Sequence, residues 1–157
     1  MEYLARQFGT TSARIAAMES PAAEQLGLEG LPYTPDRPMA NTHDVLRLVH
    51  LANGYQVGPA YVRAVQQEIF SGNYGIFDPA TLVSLGASLG IPSEEMREVL
   101  QGDRYADTVR ADRANAVSLG ANGVPFTLFA NGFVFPGAAT VAQYGSAIEQ
   151  AWRHLDV

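Results

Sequence analysis

Three histidines and a few paired carboxylates are the first side chains to ask for chemistry. His43 and His50 stand seven residues apart, two turns along one helix face, with Asp44 beside the first. A helical two-ligand metal clamp uses an i, i+4 spacing, so this pair reads as structural rather than as metal ligands. His154 falls near the C-terminal end of the last helical pattern, where the helix dipole favours a cation and no function is needed. Glu94 and Glu95 open a helix, while Asp103/Asp107 and Asp107/Asp112 lie on a polar, solvated one. Nothing sets two of these carboxylates across a cleft, as acid–base catalysis requires. There is no G-x-S-x-G, no P-loop and no dinucleotide fingerprint; "SLGASLG" (84–90) reads as helix packing and a cap. The count of Cys is 0, which excludes a disulfide framework, a thiolate metal site and a Cys nucleophile within these residues. No metal or other cofactor is expected.

The remaining candidate is a backbone feature, "NGVPFTLFANGFVFPGAAT", residues 122–140. Val124-Pro125 leads into an apolar run, Asn131-Gly132 separates it from a second, and Thr140 with Gln143 forms a capping box for a final helix. Asn-Gly between two apolar runs predicts a two-residue type I′ hairpin. Taken alone, Val124-Pro125 fits an ordinary trans proline opening an edge strand, or a cis bond, which costs only ~0.5–1 kcal/mol before proline.

Helices must position this hairpin, because the rest of the chain has helical periodicity. The first 27 residues suggest two or three short helices, broken at Gly9-Thr10-Thr11 and at Ser20-Pro21. Residues 28–42 hold Pro32, Pro35 and Pro38 and predict an extended connector. Asn41 is a cap for a helix with the stripe Val45, Leu48, Val49, Ala52, ended at Gly54. A helix over about 58–71 carries Tyr61, Val65, Ile69 and Phe70. Asp78-Pro79 opens the next, Gly90-Ile91-Pro92 stops it, Ser93 to Gly102 brackets a short one, and "RYADTVRADRANAVSLG" is a polar helix ending at Gly120. After the hairpin, Val141, Tyr144, Ile148, Ala151, Trp152 and Leu155 form a stripe suited to a sheet face. Phe70, Tyr74 and Phe77 cluster around the loop "SGNYGIFD", as packing anchors or as one wall of a cleft.

With 157 residues, 47% hydrophobic and 17% charged, the chain is long enough for a folded core. A net charge of −6 argues against nucleic acid or an anionic membrane as partner, since both need a basic face. The amphipathic start "MEYLARQFGTTSARIAAM" has no apolar core of a signal peptide, and no apolar run is long enough to span a bilayer; the expectation is a cytoplasmic protein.

Three segments resemble the DsbA-like thioredoxin-fold proteins, particularly the FrnE-like branch. They are "NTHDVLRLVHLA" (41–52), "DRYADTVRADRANAVSLGANGVPFTLFANGFVFPGA" (103–138) and "IEQAW" (148–152). The resemblance implies a mostly helical α/β chain: a partial thioredoxin-like fold with a helical insertion subdomain over 1–120. Residues 121–157 would then carry the cis-proline loop, the β-hairpin and the terminal helix. It implies that Pro125 is the cis proline and that Gly123, Val124, Pro125 and Phe126 form the substrate-binding wall, pairing with an extended peptide or protein thiol substrate. In that family a strand and a CxxC motif precede the helical insertion, and neither occurs in this sequence.

Three functional expectations follow. The chain is part of a thiol–disulfide oxidoreductase whose catalytic CxxC is absent here, so alone it is inactive. Alternatively it is a non-redox peptide-binding module that completes its sheet as a homo-oligomer. The glutathione-dependent kappa transferases and the related isomerases share the architecture and form a third class.

Overall fold

The computed structural model describes residues 2–7, 9–35, 37, 39–129 and 132–154. Among the described residues, eight helices, a 3-10 turn and a hairpin follow in order: α1 (Glu2–Gln7), α2 (Ser12–Leu28), α3 (His43–Gly54), α4 (Gly58–Phe70), the turn Tyr74–Phe77, α5 (Pro79–Ser88), α6 (Ser93–Gln101), α7 (Ala106–Ser118), β1 (Phe126–Leu128), β2 (Val134–Pro136) and α8 (Val141–Arg153). Two compact units divide the chain, Met1–Val109 and Arg110–Val157.

The first unit owns the large apolar core. Val45, Leu48, Leu51 and Ala52 from α3 meet Tyr61 and Val65 from α4, Ile76, Leu82, Val83 and Ile91 around α5, and Met96 and Val99 from α6. The stripe expected on α3 is the one that packs, with Val49 partly buried beside it. Each Val, Leu, Ile or Met among them contributes roughly 1.5–3 kcal/mol by leaving water. This is how short helices, marginal on their own, are held.

Local chemistry sets most helix ends. Asn41 Oδ1 accepts from the His43 N–H at 2.9 Å, but the N-cap of α3 is Thr42, one residue after the expected Asn41, and its side chain makes no cap bond. Pro79 occupies the first turn of α5, where a missing N–H costs nothing. One predicted break does not occur: α2 runs through Pro21. Proline removes a single intrahelical bond and strains the turn before it, and the surrounding turns outweigh that loss. Tyr105, at φ 68, delays the start of α7 to Ala106.

Arg47 is a buried charge amid the apolar stripe of α3. Its guanidinium donates to the Val99 carbonyl, to Gly102 O at 2.5 Å, to Arg104 O at 3.0 Å and to Asp44 Oδ1 at 2.9 Å. It thereby satisfies carbonyls left open at the C-terminal end of α6 and ties α3 to that end. Glu94 and Glu95, at the other end of α6, face Arg97 and Arg104 at 3.1 and 3.6 Å.

In the second unit, β1 and β2 pair antiparallel with Phe126 opposite Pro136, Thr127 opposite Phe135 and Leu128 opposite Val134. Continuing this register puts Phe129 opposite Phe133, and the Phe129 N–H donates to Phe133 O at 2.9 Å. The Gly132 N–H also donates to Phe129 O at 2.9 Å, and Gly132 has a left-handed φ of 82. The expected two-residue turn Asn131-Gly132 falls in part on Asn131, which lies outside the described residues.

Candidate functional site

The site begins where α7 stops. Beyond Ser118 the chain turns and enters β1 through a cis Val124–Pro125 peptide bond. The Pro125 carbonyl accepts from the Gly137 N–H at 2.8 Å, so the ladder between the strands extends back to this proline. Gly123, Val124 and Pro125 are exposed, Val124 at 95%, and Phe126 is half-buried.

Antiparallel pairing alternates the direction of backbone groups. Pro125 and Phe129 bond toward β2, so the odd residues of β1 face its partner, and the N–H and C=O of Phe126 and Leu128 point to the open edge. On β2 the outward positions are Val134 and Pro136, and proline has no N–H. The two edges are unequal: β1 offers donors and acceptors to an added strand, and β2 is blunted by its proline.

One face of the hairpin rests on α8. Phe135 lies 5.4 Å from the Tyr144 ring, and Phe129 lies 5.8 Å from Phe133. Thr140 and Gln143 form the expected capping box, with Thr140 Oγ1 accepting from the Gln143 N–H at 3.3 Å and Gln143 Oε1 accepting from the Thr140 N–H at 2.8 Å. The helix is rotated from the orientation its sequence suggested. Ala147 and Ala151 are buried, whereas Val141, Ile148 and Trp152 stand 90%, 53% and 69% exposed. At 100° per residue these three share a stripe about 80–100° away from the one that Tyr144, Ala147 and Ala151 share. Leu155 lies outside the described residues.

The electrostatics are simple. Residues 114–148 contain no Asp, Glu, Lys, Arg, His or Cys. This segment offers a peptide backbone and apolar walls, and no proton donor or acceptor of useful pKa other than through a partner. The carboxylates and histidines considered in the sequence are placed elsewhere: His50 stacks on Tyr105, with centroids 5.8 Å apart, and Glu94 and Glu95 are in ion pairs. Among the described residues no group of three or more metal-ligating side chains forms. Phe77 packs against the first unit's core, Phe70 stacks on Tyr33, and Tyr74 is exposed. The charge-free run was legible in the sequence; the unequal edges were not, because they depend on which residues of β1 face β2.

A hairpin entered through Val-Pro, with a capped helix on one face and one open edge, is part of a thioredoxin-type architecture. The chain belongs to the DSBA-like thioredoxin domain family, whose profile matches residues 8–149. Among solved structures it is similar to the crystal structure of a probable DsbA oxidoreductase from Streptomyces coelicolor, at 35% identity and a TM-score of 0.89. The match covers 96% of this chain and 65% of that one, so the chain spans about two thirds of its relative's length. No curated protein sequence gives a significant match. No helix among the described residues is long and apolar enough to cross a membrane.

Proposed function

We propose that this chain supplies the substrate-binding half of a thiol–disulfide exchange site of the FrnE-like kind. Gly123, Val124, Pro125 and Phe126 form its wall. The observation that carries this reading is the open edge of β1 beside the exposed Val124. An extended peptide adds there as a strand, with the backbone of Phe126 and Leu128 as its hydrogen-bonding partners. The thiols come from outside these 157 residues, because the sequence has no Cys. In the exchange, an incoming thiolate attacks a disulfide sulfur, the S–S bond breaks, and the departing thiolate carries away the electron pair. This chain's part is to hold the substrate strand in line for that attack.

Hydrogen exchange tests the reading. In the free chain the Phe126 and Leu128 amides exchange fast and those of Thr127 and Phe129 slowly. An unfolded polypeptide with its thiols alkylated slows Phe126 and Leu128 selectively. If both stay fast at saturating peptide, the strand-addition reading fails. Insulin reduction by the chain alone stays at background, and turnover above it would show that the thiols are not needed from outside.

The exposed stripe Val141, Ile148 and Trp152 favours a second reading, a non-redox module that covers this face by self-association. Solution mass separates the two: a monomer across the micromolar range removes the second.

A further inference from the structure

In the first unit a second feature, independent of the hairpin, has the makings of a ligand site. The connector after α2 crosses the C-terminal end of α4 and is pinned there. The Thr34 N–H donates to Phe70 O at 2.8 Å, and the Tyr33 ring stacks on Phe70 with centroids 5.9 Å apart. The Arg37 guanidinium lies 5.2 Å from the Tyr33 centroid and 5.4 Å from that of Phe70, and it donates to Glu19 Oε1 at 2.8 Å. These contacts fix Phe70 and hold Leu31 and Pro32, together with Leu26 of α2, beside the solvent face of α4. Between them is a cavity of about 390 Å³, within the size range of small-molecule sites.

Its two walls differ in chemistry. Leu26, Leu31, Pro32 and Phe70 make one side apolar, and Arg63, Gln66 and Gln67 line the other. The three polar residues fall at i, i+3 and i+4, so α4 presents them together, away from its core residues Tyr61 and Val65. Arg6, Arg37, Arg47, Arg97, Arg104 and Arg153 each face a carboxylate. Arg14, Arg63 and Arg113 have no side-chain hydrogen bond or ion pair with another described residue, although the chain is acidic, with a net charge of −6; of these three, Arg63 lines the cavity.

We propose that this cavity binds a small apolar monocarboxylate. The planar guanidinium matches a carboxylate with two parallel hydrogen bonds, and the side-chain amides of Gln66 and Gln67 can donate to its remaining lone pairs. The aliphatic and aromatic wall takes the hydrocarbon. A single cation facing an apolar wall suits a monoanion with a greasy body better than a phosphate, which draws several donors and stays hydrated.

Octanoate is the probe, with octan-1-ol and inorganic phosphate as controls, followed by amide and Arg63 Nε shifts in nuclear magnetic resonance of the full chain. Octanoate should give saturable shifts at Leu26, Leu31, Gln66 and Phe70. Octanol, lacking the carboxylate, should bind roughly tenfold more weakly, as expected for loss of a charge-assisted pair. Arg63→Gln should weaken octanoate by roughly the same factor and leave octanol unchanged. Arg63 is exposed, so this variant keeps its fold, which its spectrum verifies directly. Arg63→Lys, with charge but no fork, should fall between. The proposal is overturned if octanoate does not saturate, if its shifts lie elsewhere, if octanol equals it, if phosphate reproduces its shifts, or if Arg63→Gln leaves its affinity unchanged.

Discussion

Tyr61 is fully buried where α4 meets α5, and its phenol reaches the Leu82 carbonyl at 3.4 Å. Burial pushes the phenol well above its ordinary pKa of 10.0, because the phenolate would have to leave water. In the unfolded chain it ionises near that ordinary value, while the folded chain keeps the proton. Above pH 10 the unfolded state therefore binds fewer protons than the native one, and stability falls as pH rises. Below pH 10 the contribution is fully present. Wild type should lose up to about 1.4 kcal/mol per pH unit from this group above pH 10. Tyr61→Phe should remove that slope and cost only about 1 kcal/mol at neutral pH, for one long hydrogen bond. Burial raises Tyr33 in the same direction, so the readout is the difference between the two urea-denaturation curves against pH. Parallel curves would show that Tyr61 is solvated in the folded chain.

The elements show how far local sequence reaches. Gly54, Asp78-Pro79, Pro92 and Gly102 act on their own turns, and the helices end or begin within a residue or two of them. Pro21 does not break α2, because the surrounding turns decide there. Arg47 was invisible for the same reason: apart from Asp44, its partners are carbonyls more than fifty positions away. In the candidate site, the Val-Pro entry and the strands were legible, but the direction of each backbone group was not. Gly86 is a case in which the expected helix packing has a definite partner. A Cβ there would sit well inside van der Waals contact with Sδ and Cε of Met96, itself fully buried. Helix propensity favours Gly86→Ala by about 1 kcal/mol, but overpacking a core typically costs 1–3 kcal/mol. The steric term should win, giving a net loss of roughly 1 kcal/mol. In a double-mutant cycle, Gly86→Ala/Met96→Ala should then be less destabilised than the sum of the single changes. Strict additivity would mean that the two residues do not meet.

At the scale of the molecule, the two units differ in how much of their apolar surface is covered. Unit one buries a contiguous core drawn from α3 to α6. In unit two, Val124, Val141 and Ile148 are more than half exposed on a segment without a charged side chain from residue 114 to 148, and Trp152, beyond that segment, is more than half exposed as well. Apolar side chains exposed together in this way are the kind of surface that a partner covers. Trp152 reports on it without labelling, since the chain has one Trp. At low concentration its emission should move little on unfolding in urea, and acrylamide should quench the folded and unfolded chains about equally. Any strand or protein that completes the sheet and reaches α8 should shift the emission to the blue and protect it from quencher. Ile148→Glu puts a charge into the same stripe, one turn from Trp152, and should block that shift. The helix should keep its place on the hairpin, because Tyr144 makes the ring contact with Phe135 from a different face of α8, the one that holds the buried Ala147 and Ala151. The measurement is the emission maximum against protein concentration, paired with sedimentation to give the mass at each point. A Trp152 already shielded in a dilute monomer would contradict the exposed stripe, and with it the self-association reading that rests on that stripe.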